Sequence, residues 1–186
     1  MAKPVPLSRL AELCPGNLTP AQQTLYDRIV AGAKDASGKP LKTRVNEVTG
    51  GLLGPFNAFL RSPELGGLLA SLAETLRFGD MQTSQRMLEL CILRTVKSTG
   101  AEYALWSHRK LALAAGVPQD VIDALSRGQD VPANLKPEDK VALALCDELL
   151  SAGMTVREET YASAVAALGE RCAFEIAATV GFYLLL

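Results

Sequence analysis

Residues 86–94 read Arg86-Met87-Leu88-Glu89-Leu90-Cys91-Ile92-Leu93-Arg94, and residues 99–108 read Thr99-Gly100-Ala101-Glu102-Tyr103-Ala104-Leu105-Trp106-Ser107-His108. The first stretch is apolar almost without interruption and carries no Gly or Pro. It predicts a buried helix from Thr83 or Ser84 to about Ser98. Thr99-Gly100 breaks it, and a second helix follows from about Ala101 to Ala115, with Gly116 at its C′ position. Two helices joined by so tight a break can fold back against each other.

The flanking sequence reads the same way. Thr19-Pro20 is an N-cap with Pro at the first helical position, opening a helix to about Lys34. Residues 35–43 are a polar loop. Gly54-Pro55-Phe56-Asn57 leads into a short helix. Ser62 caps another, with Pro63 first and Glu64 in its first turn, running to about Arg77. Leu65, Leu68, Leu69, Leu72 and Leu76 fall on one face of it, the expected buried stripe. Further helices are expected over Pro118–Arg127, Pro137–Ala152, Thr155–Leu168 (capped by Thr155) and Glu170 to the end. No stretch alternates with period 2 long enough to make a strand. Aromatic residues are only 5 % of the 186, so the core is aliphatic, as packed helices prefer. The fold class is therefore all-α: a helical bundle over residues 43–186, preceded by an arm and first helix over 1–42. The apolar terminus Phe182-Tyr183-Leu184-Leu185-Leu186 must be buried in the domain or against another subunit, which favours an oligomer.

Lys plus Arg is 19 against 20 for Asp plus Glu, a balance that argues against nucleic-acid binding. Cys14, Cys91, Cys146 and Cys172 show neither C-x-x-C nor zinc-ligand spacing, so no metal is expected. Residues 1–6 form no apolar signal region, and Ile176–Leu186 is too short for a membrane span of about 20 residues. A cytoplasmic protein with no membrane partner is expected.

Two residues carry the chemistry. Glu89 lies in the apolar run, where desolvation would favour acid–base work. An ion pair with Arg86 or Arg94, or a solvated position, is the plainer reading. His108 is the single histidine of the chain, so any imidazole chemistry rests on it. A structural, hydrogen-bonded core histidine is the plainer reading there, and the functional one requires a partner within reach. Arg109 and Lys110 follow as candidates for a substrate carboxylate or, more plainly, as solvated cations.

Several segments, in this order and spacing, resemble the carboxymuconolactone decarboxylase and alkylhydroperoxidase D superfamily. They are Glu89-Leu90-x-Ile92-Leu93-Arg94, Glu102-Tyr103-x-x-Trp106-x-His108, Ala114-Ala115-Gly116-Val117 and Ile122-x-Ala124-Leu125. The upstream Gly54-Pro55-Phe56-Asn57-x-x-Leu60-x-Ser62-Pro63-Glu64-Leu65 and the closing Val180-Gly181-Phe182-Tyr183 are similar too, so the likeness spans about residues 43–186. The resemblance implies a helical bundle assembled as a trimer or hexamer with pockets between subunits. It matches Glu89 and His108 to a catalytic Glu and His. The positions of the family's C-x-x-C pair fall on Ala101 and Ala104, so the thiol peroxidase pattern is broken where it matters most.

The decarboxylase branch works without that pair and without a cofactor, because the substrate is its own electron sink. The implied function is a lyase or isomerase acting on a small carboxylated lactone or related enol-forming acid. In that reading Glu89 and His108 are catalytic, Tyr103 and Trp106 wall the substrate pocket, and Phe56 and Asn57 close it. A peroxidase-type antioxidant protein and a non-catalytic ligand-binding oligomer are the alternatives.

Overall fold

The structure, a computed structural model, describes residues 9–32, 44–132, 135–153 and 155–186. Among these residues it is all helical, apart from one isolated bridge between Val45 and Leu52. The helices are α1 (Pro20–Ala31), α2 (Pro55–Phe59), α3 (Pro63–Phe78), α4 (Gln85–Ser98), α5 (Glu102–Ala114), α6 (Gln119–Arg127), α7 (Pro137–Leu149), α8 (Glu158–Leu168) and α9 (Glu170–Leu185). The expected polar loop over 35–43 lies outside the described residues. The chain forms two compact units, Met1–Gly79 and Asp80–Leu186.

In the first unit, Thr19 caps α1 through a capping box with Gln22, which satisfies two of the helix's orphan donors. Leu25, Ile29, Leu52, Phe59, Leu60 and Ala70 form its core. The buried face of α3 differs from the one expected. Gly66, Ala70 and Leu76 face inward, while Leu65 and Leu68 are 55 % and 67 % exposed. The reason is close approach: a Cβ on Gly66 would sit 2.3 Å from the carbonyl oxygen of Phe59. The contact selects the smallest residue, and Leu65, Leu68 and Leu72 are turned outward. Ser62 precedes α3 without making a side-chain cap.

In the second unit, Ser84 caps α4 by accepting from Met87 N at 3.2 Å. α4 packs against α5, α6, α7 and α9. Nine of its 14 residues are buried, Glu89 among them. That is why its sequence shows no polar stripe: it is the central helix, covered on every side. Two cores flank it. Met87 and Cys91 join residues of α7, α8 and α9, while Leu90 and Leu93 join Ala112, Val117, Ile122 and Leu125. Gly100 takes φ +68° just after α4, and Ala101 N then bonds back to Val96 O at 2.9 Å. The left-handed residue turns the chain sharply enough to lay α5 on α4.

Thr155 does not cap α8; Arg157 holds the cap position. Glu148 at the end of α7 supplies the missing acceptor, taking Arg157 N at 2.8 Å and the Thr160 hydroxyl at 2.7 Å. These hydrogen bonds, led by the Thr160 hydroxyl, pull its carboxyl down to about 2. At the C-terminus Phe182 and Tyr183 are buried, whereas Leu185 and Leu186 are exposed.

Candidate functional site: a buried Glu–His–Tyr chain

Glu89 comes from α4, His108 from α5 and Tyr183 from the last turn of α9. Glu89 Oε2 and His108 Nδ1 are 2.8 Å apart, although 19 positions separate the residues. On the other side of the ring, His108 Nε2 and the Tyr183 hydroxyl are 3.0 Å apart. The His108 and Tyr183 rings meet edge to face, with centroids 5.0 Å apart. The three residues are 4 %, 7 % and 8 % exposed. Both imidazole nitrogens are therefore engaged inside the protein.

The plainer reading of Glu89 does not hold. Arg86 pairs with the buried Asp139 at 2.8 Å and also bonds to Gly116 O, and Arg94 pairs with Asp147 at 3.1 Å. Neither arginine is the partner of Glu89 in any ion pair among the described residues. A carboxylate withdrawn from water needs a donor, and the imidazole is that donor.

The other sequence candidates lie elsewhere. Tyr103 and Trp106 stack obliquely with centroids 6.0 Å apart, and the Lys110 ammonium sits 4.0 Å above the Trp106 ring. At 3.6 residues per turn, Trp106 and Lys110 each lie about 160° round α5 from His108. They form an outward face of that helix, opposite the triad. Arg109 pairs with Asp123 at 2.6 Å, a bond that lowers the Asp123 carboxyl. Phe56 and Asn57 belong to the first unit. The Asn57 side chain accepts from Leu13 N and donates to Ala11 O, both at 3.0 Å, and so ties down the N-terminal arm. Phe56 meets Phe59 edge to face and carries the Arg44 guanidinium 4.8 Å above its ring.

Cys91, Cys146 and Cys172 are buried free thiols, and Cys14 is half-buried. Its hydrogen bond with Cys146, together with burial, pushes the Cys91 thiol well above its ordinary value. No group of three or more His, Cys, Asp or Glu among the described residues could hold a metal ion. No helix among them is long and apolar enough to cross a membrane.

Tyr183 is the functional candidate that reading the sequence for chemistry did not single out. Its signal was weak: it stands in the closing Val180-Gly181-Phe182-Tyr183 segment, 75 positions from His108. Nothing local to either residue announces that distance being closed.

No family model and no curated protein matches the chain. Among solved structures, it is similar to an uncharacterized peroxidase-related protein from Silicibacter sp. TM1040. The TM-score is 0.61 and the identity 17 %, over 70 % of this chain and 68 % of that one. The fold is all-α and is shared with that neighbour over the matched part of the chain. At that identity the likeness speaks for the fold alone, and the chemistry must be argued from the residues of this chain.

Proposed function

We propose that the chain is a cofactor-independent acid–base enzyme, a lyase or isomerase acting on a small carboxylated lactone or related enol-forming acid. The observation that carries this reading is the Glu89–His108 pair: two ionisable groups, both buried, 2.8 Å apart. Burying such a pair is costly, and an apolar pair of similar volume would often serve stability as well or better. What the pair offers in return is proton transfer. Loss of a proton or of carbon dioxide from the substrate leaves charge delocalised onto a carbonyl, and the protein need only move a proton and steady that charge. His108 moves the proton; Glu89 fixes the ring and stabilises the imidazolium that forms.

A thiol peroxidase is the second reading, and the name of the structural neighbour is what favours it. The cysteines of this chain do not. A peroxidatic thiol is accessible with a lowered pKa, whereas Cys91 is buried with a raised one.

The test is a screen of carboxylated lactones in D2O, followed by NMR for deuterium uptake and carbon dioxide loss. It is run beside a hydroperoxide assay with a dithiol reductant. Turnover by the parent that His108→Gln abolishes supports the acid–base reading. Equal turnover by His108→Gln, or hydroperoxide reduction that Cys91→Ser removes, overturns it.

A further inference from the structure

We infer that the outer face of α9 is an interface between two copies of this chain, packed antiparallel about a two-fold axis. The inference goes beyond the acid–base reading and does not rest on it.

Past Arg171, the residues of α9 that remain exposed or half-buried are Phe174, Ala177, Ala178, Gly181, Leu184 and Leu185. None is polar. Phe174 is 72 % exposed and Leu185 63 %. The remaining sides of the helix pack against α4, α7 and α8. Beyond its first turn α9 thus turns no polar stripe to water, the pattern of a helix covered on every side. α8 lies beside it. Past Glu159 its exposed residues are Tyr161, Ala162, Ser163, Ala166 and Ala167, again without a charge.

Gly181 points to what approaches. Glycine in a helix interior is less favourable than alanine, and a Cβ at Gly181 would meet nothing within 4 Å. The fold of one chain does not ask for glycine there; the close approach of a second helix does.

That second helix is another α9. Phe174, Ala178, Gly181 and Leu185 follow at intervals of four, three and four. The order large, small, small, large reads the same in both directions along the helix. A two-fold axis between Ala178 and Gly181 sets Phe174 on the partner's Leu185 and Ala178 on the partner's Gly181. This is the self-complementary contact that an isologous pair needs. The small residues let the helices cross closely, and the large ones grip at either end. Charge agrees: another partner would have to bring an equally uncharged face, which a copy brings by symmetry. The net charge of −1 raises no repulsion against pairing.

The area is sufficient once α8 contributes. α8 and α9 are 11 and 16 residues long. At about 1.5 Å rise per residue and about 10 Å width, they outline roughly 400 Å². Side-chain relief carries that toward the roughly 800 Å² per partner of a standard interface. A lipid surface fits less well, because helices lying on membranes carry Lys and Arg along a polar face. In α9 the one basic residue is Arg171, already paired with Asp80 and Glu175.

Light scattering on the full chain is expected to find an even number of chains per particle. A monomer at every concentration, or an odd number, overturns the inference. Gly181→Glu, for which one chain has room, is expected to raise the dissociation constant about 100-fold or more and to halve the particle mass. Leu68→Glu, on the exposed face of α3, should leave the mass unchanged; the reverse pattern moves the interface to α3 and overturns the assignment. Cross-linking decides the geometry without relying on Gly181→Glu to fold. In a Cys14→Ser background, Phe174→Cys and Leu185→Cys should form an intermolecular disulfide when mixed before oxidation, and neither should do so alone. No cross-link in the mixture, or cross-linking of each variant by itself, overturns the antiparallel pair. Anionic vesicles that sediment the parent but not Gly181→Glu would make α9 a lipid face and overturn it as well.

Discussion

The Glu175 carboxylate, on the first turns of α9, closes over the start of α4: its Oε2 accepts Thr83 N at 2.7 Å and the Thr83 hydroxyl at 2.8 Å. Its other oxygen takes Gln82 N at 3.2 Å and Arg171 Nε at 2.9 Å. Burial alone would raise this carboxyl; the four donors outweigh it and hold it below its ordinary value. Because the folded value is lowered, the stability Glu175 adds is fully present above the ordinary carboxylate value of about 4.3. It is lost as pH falls through the lowered one. Glu175→Gln places an amide donor against backbone N–H groups and is expected to cost about 1–3 kcal/mol at neutral pH. Thermal melts of both proteins from pH 7 down to pH 3 should show the gap between them narrowing with acid. A constant gap would contradict the clamp.

Glu89 separates hydrogen bonding from charge. Glu89→Gln keeps an acceptor for Nδ1–H, so most of the stability should survive while proton transfer falls. Glu89→Ala leaves a buried imidazole N–H without a partner and should cost about 1–3 kcal/mol. Urea denaturation of the two variants should rank them in that order. Equal losses would mean that the hydrogen bond contributes nothing.

The paired glycines of α3 should respond in opposite directions. Gly66→Ala drives a methyl against the Phe59 carbonyl and should destabilise by about 1–3 kcal/mol, as overpacking does. At Gly67 a Cβ meets nothing within 4 Å, so Gly67→Ala should stabilise by up to about 1 kcal/mol through helix propensity. Differential melting of the two single variants checks this.

Thiol reactivity should follow burial. A disulfide reagent added to the native protein is expected to titrate Cys14 alone, while all four cysteines react in denaturant. A second fast thiol in the native state would reopen the peroxidase reading.

Much of this was legible in the sequence, because α4 and α5 carry their own punctuation: the Ser84 cap, the break at Gly100 and the unbroken apolar run. Glu89 and His108 could be paired because a tight turn joins their helices. The rest was set by tertiary contacts. Leu69 and Leu76 of the α3 stripe do pack inward, but Leu65, Leu68 and Leu72 obeyed the same helical spacing and still faced outward, since what seats α3 is a glycine-to-backbone contact that hydrophobicity does not register. The α8 cap was misplaced at Thr155 because its acceptor, Glu148, comes from the preceding helix. The resemblance placed Trp106 in one pocket with His108, yet a spacing of two positions in a helix sets side chains on nearly opposite faces. Tyr183 joined the site only once α9 had packed on α4.

The position of Glu89 on a helix walled in by four others ties the site to the whole of its unit. Amides of such a helix exchange with solvent only when the surrounding structure opens globally, whereas exposed termini exchange through local fraying. The α4 amides should accordingly be the slowest to exchange in the protein. Loss of activity on heating or in denaturant should then track the unfolded fraction of the second unit, with no earlier phase in which the site loosens while the fold persists.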